Sequence, residues 1–285
     1  MTADSAAETS GQNTRPAIPG PPLARIESNM TSSNTEQVAQ ALLAARRDQT
    51  PCDASALAAL LRDAADAYAV QERVARGLAP QPLGFPRFWK SGGPSREAVL
   101  THAALPPQGV WASPADAASW HFNIRLIEAE IALRLGRDVT PAQATTLTPD
   151  ATGGLVDAMA VAIEIVDSRW QQGAAAPALL KLADLQAHGA LVLGSWVPFA
   201  PRDWSAQSCS VQIGNRAVVE RRGTHSMGDP AWLLPTWLRH ATREGQTVPA
   251  GTVVTTGTWC GMLPADAGDR VLVRFDGVGE ASVQL

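Results

Sequence analysis

Residues 124–135 follow a period of two, and this pattern commits the middle of the chain to a β-strand. Ile127, Ala129, Ile131 and Leu133 occupy alternate positions, and alternate side chains of a strand point to the same face of a sheet. The pattern therefore predicts a strand with one face buried against the core and the intervening side chains on the other face.

Two glutamates, Glu128 and Glu130, stand on that other face. Their Cα atoms are expected about 6.5–7 Å apart, because they are two residues apart in a strand. Two neighbouring carboxylates repel each other unless a cation or a proton lies between them. Taken alone, the pair fits a solvated strand face as well as it fits a metal site.

A third acid, Glu164, lies in an apolar run over residues 161–166, which predicts a buried strand. An unpaired buried carboxylate is very costly, so Glu164 needs a partner. That partner could be Arg169, in a salt bridge, or a cation shared with Glu128 and Glu130. Oxygen ligands alone favour Mg²⁺, Mn²⁺ or Ca²⁺ over zinc, and the sequence has no histidine cluster with zinc spacing.

The N-terminal part of the chain is organised differently. Residues 1–33 are expected to form a disordered tail, because they are polar and poor in aromatic and β-branched residues. Residues 34–85 predict a helical unit of two helices. Ser33 has the spacing of a cap for the first helix, and the second is predicted over residues 53–76 with Gly77 as its stop.

The remainder predicts mixed, strand-rich structure around a few helices. Pro and Gly residues over 80–93 predict a boundary loop, and residues 86–285 are expected to form the metal-binding catalytic domain. Residues 151–166 predict a helix followed by a strand, and Asp229 is predicted to cap another helix. Further strands are predicted over residues 191–193, 210–213, 253–256 and 270–275.

Composition and charge exclude several classes of protein. With 45% hydrophobic residues, 18% charged residues and a net charge of −4, the chain fits a globular protein without a basic surface for nucleic acid. The sequence has no apolar run of about 18 residues that would predict a membrane span. The three cysteines are widely spaced and predict no disulfide framework, and no signal-peptide pattern is present. The simplest expectation is a cytoplasmic protein.

Five sets of residues form an ordered series of motifs along the chain. They are residues 66–71, the Glu-x-Glu strand over 127–132, residues 163–169, residues 182–184, and the pair 256–258 with 267–270. Each motif is weak alone, but in this order they resemble the fumarylacetoacetate hydrolase superfamily, and within it the 2-keto-4-pentenoate hydratase group. The resemblance covers residues 36–285.

The resemblance implies an α+β fold with a mixed β-roll core and a small N-terminal helical unit. It implies homo-oligomers and a metal, Mg²⁺ or Mn²⁺, on Glu128, Glu130 and Glu164. This chain departs from the group where Leu185 follows Ala183-Asp184, since the hydratases usually have asparagine there. The pocket is therefore expected to favour a substrate other than the short pentenoate.

The resemblance also suggests roles for other polar residues. Lys90 resembles the lysine of a Lys-x-Gly turn beside the substrate, where it could bind a carboxylate or shuttle a proton with a pKa lowered by burial and the cation. His121 is the second catalytic candidate, because hydrolases of the superfamily use a His-Glu pair to activate water; a structural histidine is the alternative. Asp184 and Thr258 are candidates for binding substrate. His225 is a third candidate, because it precedes a predicted helix N-terminus, where anions are favoured; a capping loop alone explains that segment equally well.

The expected reaction is hydration of a 2-hydroxy-2,4-dienoate, or the corresponding 2-oxo-enoate, through an enolate held on the metal, as in the catabolism of aromatic rings. A 2-oxo-3-enedioate decarboxylase and an acylpyruvate C–C hydrolase remain alternatives, since both would use the same residues. A third alternative is a non-catalytic partner that assembles with a related enzyme. The expected partners are a small dienoic acid and further copies of the chain, alone or together with a related decarboxylase.

Overall fold

The computed structural model describes residues 33–78 and 84–285. Apart from Ser33, the tail expected over residues 1–33 lies outside the described residues. The α-helices within them are α1 (Asn34–Arg47), α2 (Ala64–Leu78), α3 (Pro141–Thr146), α4 (Ala178–Ala183) and α5 (Leu234–Ala241). Of these described helices, none is long and apolar enough to cross a membrane.

The strands in the same part of the chain form two sheets. They are β1 (Phe88–Gly92), β2 (Thr101–Ala104), β3 (Val110–Ala112), β4 (Ala115–Asp116), β5 (Leu126–Leu135), β6 (Val156–Val166), β7 (His188–Leu193), β8 (Val197–Pro198), β9 (Ser208–Ile213), β10 (Val219–Arg222), β11 (Val253–Thr255), β12 (Leu263–Pro264), β13 (Arg270–Phe275) and β14 (Gly279–Gln284). The larger sheet has the order β2-β1-β11-β5-β6-β7-β3, with β12 paired to β5 and β8 to β6. The smaller sheet has the order β10-β9-β13-β14-β4.

The larger sheet mixes parallel and antiparallel pairs. Strand β1 runs parallel to β11 and β3 runs parallel to β7, whereas β5 pairs antiparallel with β6 and β11. The sheet curls into a half-barrel. The smaller sheet packs on it, since Val273, Phe275 and Val283 share a buried cluster with Met159 and Ile163 of β6. The α+β fold with a mixed sheet core is therefore confirmed.

Helix α2 packs against both α1 and α4. Ser33 caps α1, because its hydroxyl accepts from the Glu36 N–H, as predicted. Gly77 does not stop α2 but lies inside it, where an added Cβ would stand 2.5 Å from Leu43 Cδ1. Trp170 belongs to the same buried cluster as the two helices. A domain boundary at residue 85 stays a prediction.

Three predicted elements were placed wrongly. The helix predicted over residues 53–76 begins only at Ala64, because Asp63 accepts from the Asp66 N–H and caps it there, after a 3₁₀ turn at Ala58–Leu60. The helix predicted in residues 151–166 is a 3₁₀ turn at Pro149–Gly154, and β6 already begins at Val156. Alanine-rich sequence favours helix, but pairing along the whole of β5 overrides that preference.

The boundary loop predicted over residues 80–93 is also partly wrong, because β1 occupies Phe88–Gly92. This strand lies inside the larger sheet, with Lys90 opposite Thr255 of β11. Lys90 is therefore a residue of an inner strand of the sheet, and its backbone is held by pairing with β11 and β2.

Candidate metal centre

Strands β5 and β6 bring three glutamates together. In their antiparallel pairing Glu128 lies directly opposite Glu164, and residues opposite one another project from the same face of a sheet. Glu130 follows Glu128 by two residues, so it projects from that face as well. One carboxylate oxygen from each of the three lies within 4.8 Å of the others, and this is the group of possible metal ligands found among the described residues.

Burial makes this arrangement of like charges unfavourable by itself. Glu130 and Glu164 are 2% and 0% exposed, and Glu128 is half-buried. Burial, and then the charge of Glu164, raises the pKa of Glu128 to about 7. Burial, followed by the charges of Glu164 and Glu128, raises the pKa of Glu130 to about 8. Both carboxyl groups therefore resist losing their protons in the absence of a compensating positive charge.

Lys90 supplies part of that positive charge. Its Nζ lies 2.5 Å from Glu164 Oε1 and also donates to the Gln186 carbonyl oxygen at 3.2 Å. Burial alone would lower the pKa of Lys90, as the sequence suggests, but the charges of Glu164, Glu128 and Glu130 raise it instead. Lys90 is thus a cation among the three glutamates, and the expectation that its pKa is lowered is wrong.

His188 is a member of the site that the sequence did not indicate. Its Nδ1 lies 3.1 Å from Glu164 Oε1, and burial lowers the pKa of the imidazole, which keeps the ring neutral. Burial would raise the pKa of Glu164, but Lys90 and the hydrogen bond from His188 lower it to about 2. Arg169, the alternative partner for Glu164, instead donates to Asp184 and Asp167. That alternative is wrong.

The residues present fit a divalent cation. With all three glutamates ionised, the carboxylates and the ammonium of Lys90 together carry a net charge of about −2, which a divalent cation balances. Glu164 Oε2 is buried and accepts no hydrogen bond from any described residue. Metal–oxygen distances of about 2.0–2.6 Å place opposite ligands of one ion about 4–5 Å apart, which matches the spread of the three carboxylates. Glu130 is also oriented, since its Oε2 accepts from the Gly257 N–H at 2.8 Å.

Two predicted site residues lie elsewhere. His121 is exposed, and its Nε2 contacts Asn123 Oδ1 at 3.1 Å. It lines a cavity of about 400 Å³ together with Arg169 and His188, and none of the three glutamates borders that cavity. Asp184 is fully buried in an ion pair, because Arg169 and Arg46 both donate to its Oδ1. Asp184 therefore holds two arginines within the fold, and a role for it in binding substrate stays a prediction.

His225 and Thr258 lie around the loop that orients Glu130. The ring of His225 is buried, its Nε2 donates to the Thr256 carbonyl oxygen, and its Nδ1 accepts from Met227 N–H. Thr258 is half-buried and its hydroxyl donates to the Gly261 carbonyl oxygen. Both ring nitrogens of His225 and the hydroxyl hydrogen of Thr258 already have partners. A role for either residue in binding substrate stays a prediction.

The chain is similar in sequence to two proteins named 2-keto-4-pentenoate hydratase. The chain is 32% identical over 165 residues to 2-keto-4-pentenoate hydratase 1 of Dechloromonas aromatica, and 33% identical over 162 residues to 2-keto-4-pentenoate hydratase of Paraburkholderia phymatum. These alignments cover 55% and 54% of this chain. They span 58% and 57% of the two relatives, somewhat more than half of their length.

Solved structures share the fold. The structure of 4-oxalocrotonate decarboxylase from Pseudomonas putida G7, complexed with magnesium and adipate, superposes with a TM-score of 0.75 at 19% identity, over 90% of this chain and 98% of that one. Fumarylpyruvate hydrolase from Pseudomonas aeruginosa, in complex with Mn²⁺ and pyruvate, gives a TM-score of 0.50 at 16% identity, over 73% and 92%. The family model for the C-terminal domain of fumarylacetoacetate hydrolase matches residues 55–285. This chain therefore belongs to the fumarylacetoacetate hydrolase family.

Proposed function

We propose that this chain is a metal-dependent hydro-lyase that adds water to a 2-hydroxy-2,4-dienoate or its 2-oxo-enoate form. The observation that carries the proposal is the convergence of Glu128, Glu130 and Glu164 beside Lys90, with Glu164 Oε2 left without a partner among the described residues. The choice of hydration over other reactions rests on the relatives named 2-keto-4-pentenoate hydratase.

The metal is proposed to be Mg²⁺ or Mn²⁺, held by Glu128, Glu130 and Glu164. A divalent cation there would supply positive charge to stabilise the negative charge that develops on substrate oxygens. Hard cations of this kind prefer carboxylate oxygens, which are the ligand type that the three residues offer.

Lys90 is proposed to bind substrate and to hold a proton at Nζ. An ammonium group has three N–H donors, and Lys90 directs two of them to Glu164 Oε1 and the Gln186 carbonyl oxygen. The third is available to an oxygen of the substrate. Because Glu164 and Gln186 hold the ammonium from two sides, Lys90 presents this donor in a fixed direction.

The same proposal includes a substrate, a cellular compartment and an oligomeric state. The substrate is a small 2-oxo or 2-hydroxy-dienoic acid from ring catabolism. The protein is proposed to be cytoplasmic and to act as a homo-oligomer, alone or with a related decarboxylase. A decarboxylase acting on a 2-oxo-3-enedioate and an acylpyruvate hydrolase would need the same residues, so the identity of the product must separate these reactions.

The test uses metal-free protein and 2-hydroxypenta-2,4-dienoate, with and without Mg²⁺ or Mn²⁺. Loss of the dienoate absorbance that requires the metal, with a hydrated 2-oxo acid as product by NMR, is the expected result. Glu164→Gln should abolish it, whereas Glu220→Gln, which removes an exposed carboxylate, should not. Carbon dioxide released from an oxalocrotonate-like diacid, without hydration of the dienoate, would favour the decarboxylase. A wild-type protein that binds the metal and turns over no 2-oxo acid would favour the non-catalytic partner.

A further inference from the structure

Two donors converge on a single oxygen of Glu164. Lys90 Nζ lies 2.5 Å and His188 Nδ1 lies 3.1 Å from Oε1, while Oε2 is buried and has no hydrogen-bond partner in the described part of the chain. A carboxylate held at one oxygen by two donors from different elements cannot turn freely about its Cγ–Cδ bond. Oε2 is therefore left as the atom available to an ion.

A β-bulge places His188 on the same face of the sheet as Glu164. Ile165 of β6 pairs with Ala190 of β7, but Val166 pairs with His188, so one residue of β7 is skipped. Val166 follows Glu164 by two residues and shares its face. Without the bulge, the pairing of His188 with β6 would shift by one residue. Its side chain would then point to the opposite face of the sheet, because neighbouring residues of a strand point to opposite faces.

The skipped residue is Gly189, and no larger residue fits there. A Cβ at this position would lie 2.6 Å from the Ile165 carbonyl oxygen and 2.7 Å from Asp167 Cβ. The backbone of β7 therefore approaches β6 more closely at the bulge than a side chain would allow. This close approach is what brings the His188 ring within reach of Glu164.

The turn that precedes His188 is strained. Leu185, Gln186 and Ala187 have φ values of 53°, 56° and 56°, a conformation that non-glycine residues rarely adopt because the Cβ crowds the following carbonyl oxygen. The turn is held at its start, where Asp184 accepts from the backbone and side chain of Arg169. Strain of this kind persists where the surrounding structure imposes it, and it concentrates at functional sites.

The same turn helps to position both groups that donate to Glu164. The Gln186 carbonyl oxygen accepts from Lys90 Nζ, and His188 begins two residues later. A neutral imidazole that donates from Nδ1 leaves Nε2 as an acceptor, and Nε2 of His188 has no partner within the described residues. Donation to Glu164 is thus the hydrogen bond that fixes the tautomer and the orientation of this ring.

We propose that His188 is a positioning residue for the metal site, which holds the Glu164 carboxylate so that Oε2 faces the cation bound by Glu128 and Glu130. The bulge at Gly189 and the left-handed turn before His188 place its ring beside Glu164. This role rests on the metal site of the proposed function. It predicts that the affinity for the metal depends on a donor at the position of His188 Nδ1.

The test is calorimetry of Mn²⁺ binding to a matched pair of variants. In asparagine the amide nitrogen is bonded to Cγ, as Nδ1 is in histidine, so His188→Asn keeps a donor in place. Leucine has nearly the same shape as asparagine, but His188→Leu provides no donor. We expect His188→Asn to bind within about threefold of wild type, and His188→Leu to bind about 10- to 100-fold more weakly, the usual loss when a partner of a metal ligand is removed. The Mn²⁺ electron paramagnetic resonance spectrum should change in the leucine variant only.

Thermal unfolding checks that both variants fold. If His188→Leu does not fold, His188→Met takes its place, because its flexible side chain adapts to irregular space and carries no N–H donor. Equal affinity in the asparagine variant and in its donor-free counterpart would overturn the positioning role and leave the metal site intact. A wild-type protein that binds no Mn²⁺ would overturn both the proposed function and this inference.

Discussion

Glu164 shows how one residue can hold a site together. It is the acid opposite Glu128 in the β5–β6 pair, and it also accepts from Lys90 and His188. Its side chain therefore links β5 and β6 to β1, which carries Lys90, and to β7, which begins with His188. Substitutions of Glu164 should therefore lower the affinity of the site for the metal.

Glu164→Gln should lower the affinity for Mg²⁺ or Mn²⁺ at least tenfold. The substitution removes one of the three ligand charges, and a neutral amide oxygen is a weaker ligand for a hard cation. Calorimetry on the metal-free variant gives the affinity, and circular dichroism checks that it folds. Wild-type affinity in this variant would remove Glu164 from the site.

Lys90→Ala should reduce turnover of a 2-hydroxy-2,4-dienoate by about 10²–10⁴-fold, the range for a positioned acid–base group. The three glutamates remain, and loss of the ammonium makes the site more negative, so the metal should still bind. Because Lys90 is also one of the two donors on Glu164 Oε1, turnover is compared at a metal concentration that saturates each protein. Lys90→Arg should not restore turnover, since a guanidinium has a different shape and hardly gives up a proton. Full turnover in the alanine variant, measured at saturating metal, would contradict the role of Lys90.

At the scale of elements, the pairing of β6 with β7 determines which side chains of β7 face the glutamates. The two strands pair regularly from Ala162 to Ile165 and then shift by one residue at Gly189. A shift of this kind changes which face a side chain occupies without changing the strands themselves.

Gly189→Ala should therefore lower the free energy of unfolding by about 1–3 kcal/mol, as expected for a group forced into a packed site. The added methyl group would collide with the Ile165 carbonyl oxygen, which is backbone and cannot move aside cheaply. Gly153→Ala is the matched control, because nothing lies within 4 Å of a Cβ there. Denaturant titration measures both, and equal stability of the two variants would contradict the close approach at the bulge.

At the scale of the whole molecule, the acidic site opposes folding at neutral pH. The pKa values of Glu128 and Glu130 are raised to about 7 and about 8, chiefly by burial, from an ordinary value near 4.3. Between roughly pH 4.5 and 8 the folded chain thus holds more protons than the unfolded chain. Stability of the metal-free protein should then fall as the pH rises through this window, with respect to these two groups.

A bound divalent cation should reverse this loss, because it neutralises the carboxylates that protons neutralise at lower pH. The melting temperature should rise on addition of Mg²⁺ or Mn²⁺, and the rise should be larger at pH 8 than at pH 6. Thermal unfolding with and without the ion, at both pH values, measures the effect. An equal rise at the two pH values would mean that the ion binds away from Glu128 and Glu130.

The assembled protein is expected to be larger than one chain. The family resemblance implies homo-oligomers built from dimers, and one chain has a mass of 30.0 kDa. Light scattering at micromolar concentration should give a multiple of that mass. A particle of 30 kDa would reject the expectation.

The three glutamates, and the two strands that carry them, could be predicted from the sequence. The period of two around Glu128 and Glu130, and the apolar run around Glu164, are local patterns, so a single sequence displays them without knowledge of the fold. The cap at Ser33 and the capping role of Asp229 are local in the same sense, and both were correct.

Which other residues complete the site depends on the tertiary structure. Lys90 and His188 reach Glu164 across 74 and 24 residues, and their contacts depend on strand order, register and a bulge that shifts the pairing by one position. His121 lies nearer to Glu128 in sequence, yet it is exposed beside Asn123. Periodicity predicts which residues share a face of one strand, but pairing between distant strands is set by the packing of the whole chain, because register depends on what both faces bury.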